Sequence, residues 1–533
     1  MSVYEELDAA VIKRAPGALA VLGVVASVFL PGLGHLIVGR RRRAAVFFAI
    51  DAAIAVATLW LLSRGTVGLL QLLVQPRWVR AVVFGNVAFG LFRLAAAVDL
   101  AVRERPRVNR FFGAGVVAVL AVVLVAPHLF VMTRALSLLG VLEDVFPAEG
   151  YIAVAFEQQR TQAEGERAAG SQGPNTTTAG TTIPPVFTGS PDGSVVPRFD
   201  NPGDPQLEPI DLNRVTVLLA GGDAGPGRGG LRTDTMIVAS LDVETGEGVL
   251  ITISRELVGF PLPLKLQGLS GVVARQDLIF AAAKNAELGG YTKATDLLPE
   301  ERDPCCWLDR INALYPFTYT ATGVYPDDPR PGMAALRDTV SQALGIHIDY
   351  YVLVDFAGFV DLVDAIGGVR ITSRETMNIR MSPAKEGEED LILHITPGRH
   401  TLDGRSALVF VRNRTGSSDV VRTRRQRCFV REVVGQVEAS TVVLRFDRIA
   451  RAIQRYARTD IPVLILPDLI QVVAELDTSD ISTMAIQPGH LADTINYRGL
   501  PVLNTDRVRA AVRNVMNGLG SGDSVIDGDE CGS

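Results

Sequence analysis

The 533-residue chain carries 52 Lys and Arg against 58 Asp and Glu, a net charge of −6, which argues against a nucleic-acid partner held by bulk electrostatics. Its mean hydropathy of +0.24 is high for a soluble protein. Most of the long apolar runs precede residue 135, so a membrane module followed by a polar remainder is expected, and any anion binding must come from a local cluster of cations.

Four stretches approach the ~20 apolar residues that a bilayer core requires: Gly17 to Val38, Ala44 to Leu62, Val82 to Val102 and Phe112 to Met132. Together they make residues 1–135 a multi-pass anchor. The first is no cleavable signal peptide, because no small-residue cleavage site follows it. Arg40 to Arg43 crowd one connection and Arg103, Arg105, Arg107 and Arg110 another, so both loops are expected in the cytoplasm. Four spans then leave both termini, and everything after Thr133, outside the cell membrane. Pro31-Gly32-Leu33-Gly34 interrupts the first stretch, leaving a re-entrant hairpin as the alternative. Three spans would still place the large C-terminal part outside. Asp51, Arg93 and Asp99 lie at span depth; an Asp51–Arg93 pair, and an Asp99 snorkelling at the inner end, are the plain structural readings.

Residues 136–210 read as an extracellular linker, rich in Gly, Pro, Ser and Thr from about Glu157. After it, short β-branched runs alternate with amphipathic helices: strands at Val215 to Leu219, Thr235 to Leu241 and Val249 to Ile253, a helix at Ala334 to Leu344, a strand at Tyr350 to Val354, a helix at Phe356 to Ile366 capped by Gly367-Gly368, and a strand at Val369 to Ile371. This alternation predicts an α/β domain with a central sheet flanked by helices. Its core is expected over 211–437, its C-terminal part over 438–517, and a disordered tail over 518–533. The four cysteines, Cys305, Cys306, Cys428 and Cys531, all follow the last apolar run, so up to one or two disulfides fit there outside the membrane, with buried thiols as the alternative.

Polar residues gather at the strand ends: Asp223 after the first, Arg232 and Asp234 at the start of the second, Arg255 after the third. Sheets position functional groups at such ends. Further on, Val411 to Arg414 reads as a strand that puts Arg412 and Arg414 on one face. A helix from Arg422 would align Arg422, Arg425, Gln426, Phe429 and Val433 in one stripe, with Arg424, Arg427 and Arg431 on a solvated face. Guanidinium forks bind phosphate oxygens in bidentate fashion, so this cluster suits a multiply charged anion. Carboxylates facing it suggest Mg2+, which takes one or two carboxylates plus phosphate oxygens. No Ser/His/Asp order, HExxH or P-loop occurs in this half, and the six histidines show no ligand spacing.

At these residues the chain resembles the LytR-CpsA-Psr family of bacterial cell-envelope proteins. The matching pieces are VLLAGGD (217–223), RTDTMIVASLD (232–242), ISRE (253–256), INALY (311–315), LGIHIDYYVLVDFAGFVDLVDAIGGV (344–369), PGRHTLDGRSALVFVRNR (397–414) and SSDVVRTRRQR (417–427). The resemblance implies a mixed sheet between helices with a hydrophobic tunnel for a polyprenyl chain. It also implies transfer of a glycopolymer from its polyprenyl pyrophosphate carrier onto peptidoglycan, leaving a phosphodiester linkage. By motif position, Arg232, Arg255, Arg412, Arg414, Arg422 and Gln426 would hold the pyrophosphate. Asp223 and Asp234 would bind Mg2+ or, for Asp223, act as base. Phe356, Phe359, Val360 and Val363 would line the tunnel, or simply fill an ordinary core.

Two departures stand out. Glu256 occupies a position where the family usually has Asp, and no role is assigned to it. The stretch between Leu257 and Asp309 is longer than the family pattern. A polyprenyl-pyrophosphate hydrolase and a non-catalytic lipid-glycan binding or regulatory protein are the competing functions. The pair Asp223 and Asp234 speaks against the latter, since a pure binder has less need of metal.

Overall fold

The computed structural model describes residues 17–104, 110–146, 187–189, 195–197, 214–223, 231–267, 306–307, 309–318, 325, 328, 330–373, 376–381, 391–413, 419–476, 481–492, 494–495 and 499–518. Arg414, Cys305, Cys531, most of the expected linker and the tail from 519 lie outside them. The chain divides into two compact units, Met1–Leu142 and Glu143–Ser533.

The first unit is helical: α1 (Gly17–Phe29), α2 (Pro31–Ile37), α3 (Arg41–Leu62), α4 (Gly65–Leu73), α5 (Pro76–Glu104) and α6 (Arg110–Val145). Three segments, Arg41–Leu62, Pro76–Arg103 and Ala118–Val145, are long and apolar enough to cross a bilayer. The first expected span is not one. Leu30 is extended (φ −139°, ψ 101°) and Pro31 starts a new helix, so neither the 13-residue α1 nor the 7-residue α2 has the length to span. The two halves pack closely: a Cβ on Gly34 would sit 2.0 Å from Ser27 Oγ and 2.1 Å from Gly23 O, so only glycine fits there. Arg93 Nε donates to Val28 O at 2.7 Å, satisfying a carbonyl next to the break. Arg93 is therefore hydrogen-bonded to backbone, and its pairing with Asp51 is through charge alone. Asp99 does more than snorkel: it accepts from Arg43 Nη1 and Arg103 Nε, each at 2.7 Å, and lies 3.1 Å from His35 Nε2.

The second unit is built on a six-stranded mixed sheet, as expected for an α/β domain. Its strands are β1 (Arg214–Gly222), β2 (Thr233–Asp242), β3 (Gly248–Ile253), β4 (Tyr350–Asp355), β9 (Ala457–Thr459) and β10 (Ile481–Ile486), in the spatial order β9-β4-β1-β2-β3-β10. β4 runs parallel to β1 and β10 to β3; the other three pairs are antiparallel. Period-two alternation gives each strand two apolar faces. Leu218, Met236, Val238, Ile251 and Tyr351 face α7 (Pro331–Leu344) and α13 (Thr505–Met516), burying Met333, Leu336, Val340, Val508 and Val512 with them. Val217 and Val352, on the alternate face, pack with Ile461 and Ile465.

After β4, Asp355 caps α8 (Phe356–Ile366) by accepting from Gly358 N, and Gly367 and Gly368 end it at φ +98° and +86°. Two antiparallel pairs follow, β5 (Val369–Ser373) with β8 (Gly398–Leu402), and β6 (Met377–Met381) with β7 (Leu391–Ile395). Then come α9 (Gly404–Arg412), α10 (Asp419–Gln436), α11 (Phe446–Tyr456) and α12 (Leu466–Glu475). The stretch expected as a strand at Val411 to Arg414 is instead the end of α9, which Asp403 starts by accepting from Ser406 N. Arg412 thus lies on a helix and not on a strand, while Arg414 lies outside the described residues. Within the expected linker, Phe187–Gly189 pairs with Val195–Pro197. Cys306 and Cys428 are both disulfide-bonded, and no described cysteine is free.

Candidate active site at the strand ends

The C-terminal ends of β1 and β3 and the start of β2 lie side by side, so their flanking polar residues meet. Asp223, Arg232, Asp234, Arg255, Glu256, Arg310 and Asn312 line one cleft of about 320 Å³. Local backbone shape aims the first of them. The β1–β2 register shifts between Gly221 and Gly222, a bulge that turns the chain just before Asp223. Asp223 then closes the β1–β2 connection, its N–H donating to Arg232 O at 2.9 Å and its Oδ1 accepting from Arg232 N at 2.7 Å.

Asp234 is the hub. It pairs with Arg255 Nη1 and accepts from Asn312 Nδ2 at 2.8 Å. Arg255 Nε also lies 3.3 Å from Glu256 Oε1, while Arg310 Nε lies 2.5 Å from Glu256 Oε2. The cleft therefore alternates charge along Asp234, Arg255, Glu256 and Arg310. These pairs are partly open to solvent: the side chains of Arg255 and Asp234 are 14% and 15% exposed, that of Arg310 39%. An anion entering there can compete for the guanidiniums, and a cation for the carboxylates.

Helix α10 brings the second group of candidates towards this end of the sheet. Gln426 Nε2 donates to Thr235 Oγ1 at 3.0 Å, so Gln426 is anchored one residue from Asp234. It also donates to Val411 O at 3.3 Å, and Arg425 Nη1 to Asn413 O at 3.0 Å, fastening α10 to the end of α9. Gly221 makes room for this contact, since a Cβ there would lie 2.9 Å from Thr235 Cβ. Arg422, one turn before Gln426, is buried at 4% exposure. The expected stripe of Arg422, Arg425, Gln426 and Phe429 is thus real and buried. The expected solvated face is not: Arg427 is 1% exposed, because α10 is packed on both sides.

Arg412 lies across the ring of Phe356, with Cζ 3.8 Å from the centroid. Phe356, Val360 and Leu408 form one apolar cluster; Val363 and Phe429 belong to a second, and Phe359 packs against both. The four tunnel candidates thus sit on α8 in core-like packing. Sequence reasoning gave no role to Glu256 and did not select Arg310 or Asn312. Asn312 lies within the INALY piece, so its motif was visible although its contact with Asp234 was not.

The LytR_cpsA_psr family model matches residues 302–513. Among curated relatives, the chain is 32% identical over 127 residues to Biofilm regulatory protein A of Streptococcus mutans, covering 24% of this chain and 30% of that protein. It is 32% identical over 111 residues to the polyisoprenyl-teichoic acid–peptidoglycan teichoic acid transferase TagT of Bacillus subtilis, covering 21% and 34%. With the transferase of the same description, TagU, of Oceanobacillus iheyensis, it shares 24% over 288 residues, covering 54% and 70%. The chain thus spans about a third of the length of the first two of these relatives. Among solved structures, TagV of B. subtilis aligns with a TM-score of 0.38 at 19% identity, over 57% of this chain and 98% of that one. TagT bound to LIIa-WTA aligns with a TM-score of 0.35 at 18% identity, over 58% and 91%.

Proposed function

We propose that this protein transfers a glycopolymer from a polyprenyl-pyrophosphate carrier to peptidoglycan, at the outer face of the cell membrane. The observation that carries the reading is the single cleft at the strand ends, where Asp223, Arg232, Asp234 and Arg255 meet and beside which Gln426 of α10 is anchored through Thr235. The relatives named as teichoic acid transferases support the substrate class, and the three long apolar helices support an anchor.

In this reading Arg232, Arg255, Arg412, Arg414, Arg422 and Gln426 bind the pyrophosphate, with Arg414 assigned by sequence alone. Arg255 exchanges Asp234 for a phosphate oxygen. Phe356, beneath the Arg412 guanidinium, joins the charged end of the site to the apolar face of α8, where Phe359, Val360 and Val363 receive the lipid chain. The acceptor sugar hydroxyl attacks the glycan-side phosphorus. Its new P–O bond replaces the bond to the polyprenyl phosphate, which leaves, and Asp223 takes the hydroxyl proton. The arginines neutralise charge that builds on the leaving phosphate, the dominant contribution in phosphoryl transfer.

The donor set fits Mg2+: Asp223 and Asp234 face one cleft, and this ion takes one or two carboxylates plus phosphate oxygens. Asp223 and Asp234 would hold it, and it would add positive charge at the departing phosphate.

The test is product analysis with a polyprenyl-pyrophosphate-linked glycan, with and without peptidoglycan. Glycan covalently joined to peptidoglycan is the expected product. Release of free glycan phosphate at the same rate with or without acceptor would instead make the protein a hydrolase. Binding without any turnover at ample magnesium would make it a carrier-binding module.

A further inference from the structure

Helix α11 lies away from the strand-end cleft and has no part in the reaction proposed above. One face is apolar: Ala450 and Ala452 are buried, and Ile449, Ile453 and Tyr456 half-buried. The other carries Arg448, Arg451 and Arg455, all exposed, at i, i+3 and i+7 spacing that aligns them in one stripe. Two neighbouring arginines have structural employment. Arg445 lies against the αL glycine that caps α8, since a Cβ on Gly367 would fall 2.2 Å from its Nη1. Arg458 bonds the last carbonyls of α11, with Nη1 3.3 Å from Gln454 O and Nη2 3.2 Å from Arg455 O. Arg448 and Arg455 have no such role: among the described residues neither has a carboxylate partner.

The stripe borders a groove of about 590 Å³ between α11 and α8, which Asp361, Asp364 and Gln454 also line. Leu444, just before α11, is 84% exposed, an isolated apolar side chain beside a basic face. The first residues of the second unit sit on this same side. Asp144 Oδ2 accepts from Gln454 Nε2 of α11 at 2.6 Å, and Phe146 packs with Ile461, Ile465, Leu466 and Leu469. Asp144 is the next-to-last residue of an apolar segment, Ala118–Val145, long enough to cross a bilayer. An outward face of this kind, basic with an apolar fringe and close in sequence to a membrane helix, matches the chemistry of an anionic lipid surface.

We propose that α11 docks on the membrane surface, with Arg448, Arg451 and Arg455 on anionic phospholipid headgroups. Phosphate binds the guanidiniums, and headgroup hydroxyls can donate to Asp361 at the groove. This docking holds whether or not the transfer reading does, because none of its residues lies in the strand-end cleft.

The experiment uses the full chain in nanodiscs of phosphatidylcholine alone or with phosphatidylglycerol added, reading backbone hydrogen exchange across Phe446–Tyr456. Several-fold slower exchange is expected in the anionic discs, with α7 unchanged. The slowing should vanish in the triple variant Arg448→Gln, Arg451→Gln, Arg455→Gln and persist in the corresponding triple Lys variant. Equal exchange in the two lipid compositions overturns the proposal. So does slowing that survives the glutamine variant. Slowing that appears only when a soluble anionic glycopolymer is added to phosphatidylcholine discs also overturns it, and assigns the stripe to a polymer.

Discussion

Two groups of ion pairs in the second unit use the same residue types to opposite ends. At the strand ends, Asp234, Arg255, Glu256 and Arg310 form a chain of pairs that faces a cleft and remains partly exposed. On α7, Arg337 and Asp338 form a sealed pair, joined at its rim by Lys265 and Asp460, whose side chains are 32% and 12% exposed. Lys265 Nζ lies 2.7 Å from Asp338 Oδ2 and Arg337 Nε 3.1 Å from Asp338 Oδ1, while Arg337 Nη1 also pairs with Asp460. Asp338 is completely buried and the Arg337 side chain 4% exposed. Burial alone would push the Asp338 carboxyl up, but Lys265 and Arg337 hold it below its ordinary value. Exposure separates the roles: a pair that solvent can reach can change partners, whereas a sealed pair can only be kept or lost.

The largest expected effect lies on the sealed side. Arg337→Ala leaves Asp338 and Asp460 buried with Lys265 as the remaining cation. Breaking a buried pair in this way costs about 3–5 kcal/mol. In thermal unfolding of the detergent-solubilised chain the midpoint should fall on the order of 10 °C. A shift of a degree or two would show that water reaches the set, and the contrast with the cleft would collapse.

On the open side the signature reverses. Arg255→Ala should leave the unfolding midpoint nearly unchanged yet weaken binding of a polyprenyl pyrophosphate by about 2–5 kcal/mol. Arg422→Ala should weaken binding as much but also lower the midpoint, because Arg422 is buried at 4% exposure. Binding as tight as that of the parent would remove these residues from the site. Asp234→Asn sharpens the point further. If Asp234 only offsets positive charge, the variant should bind phosphate as well or better and keep its turnover. If it holds magnesium, turnover should fall on the order of 100-fold while lipid still binds. Magnesium dependence of glycan transfer, read beside lipid binding, decides between the two.

Much of this frame was legible in the chain. The strands were visible because they are β-branched apolar runs bounded by turns, and α8 was bounded correctly because Asp355 and Gly367 cap it. The first apolar stretch was misjudged because hydropathy adds up side chains and overlooks a backbone break at Pro31. Val411 to Arg414 reads as a strand because Arg412 and Arg414 fall at period two; Asp403, three residues before Ser406, is the helix signal that this spacing hides. Arg427 was put in solvent because spacing gives stripes but not which of them is covered. The contacts of Glu256 with Arg310, and of Asp234 with Asn312, join residues 54 and 78 positions apart, which local pattern cannot reveal.

The smallest expected effect probes the edge of the sealed set. Asp328 accepts from Arg330 N at 2.8 Å and from the Tyr351 hydroxyl at 2.9 Å. Burial, with the charges of Asp460 and Asp338 behind it, pushes its carboxyl up to about 6. A free Asp loses its proton near pH ~3.9, so between about pH 4 and 6 the unfolded chain is ionised there while the folded chain keeps the proton. The folded state binds more protons across that window, and stability falls as pH rises through it. The loss is about 2 kcal/mol by pH 7 if the group titrates alone. Asp328→Asn keeps an oxygen that accepts from both donors and removes the titration. Relative to the parent, the variant should gain stability steadily from pH 4 to pH 7 and differ little at pH 4. Parallel profiles would mean that Asp328 is solvated like the cleft carboxylates, moving it from the sealed group to the open one.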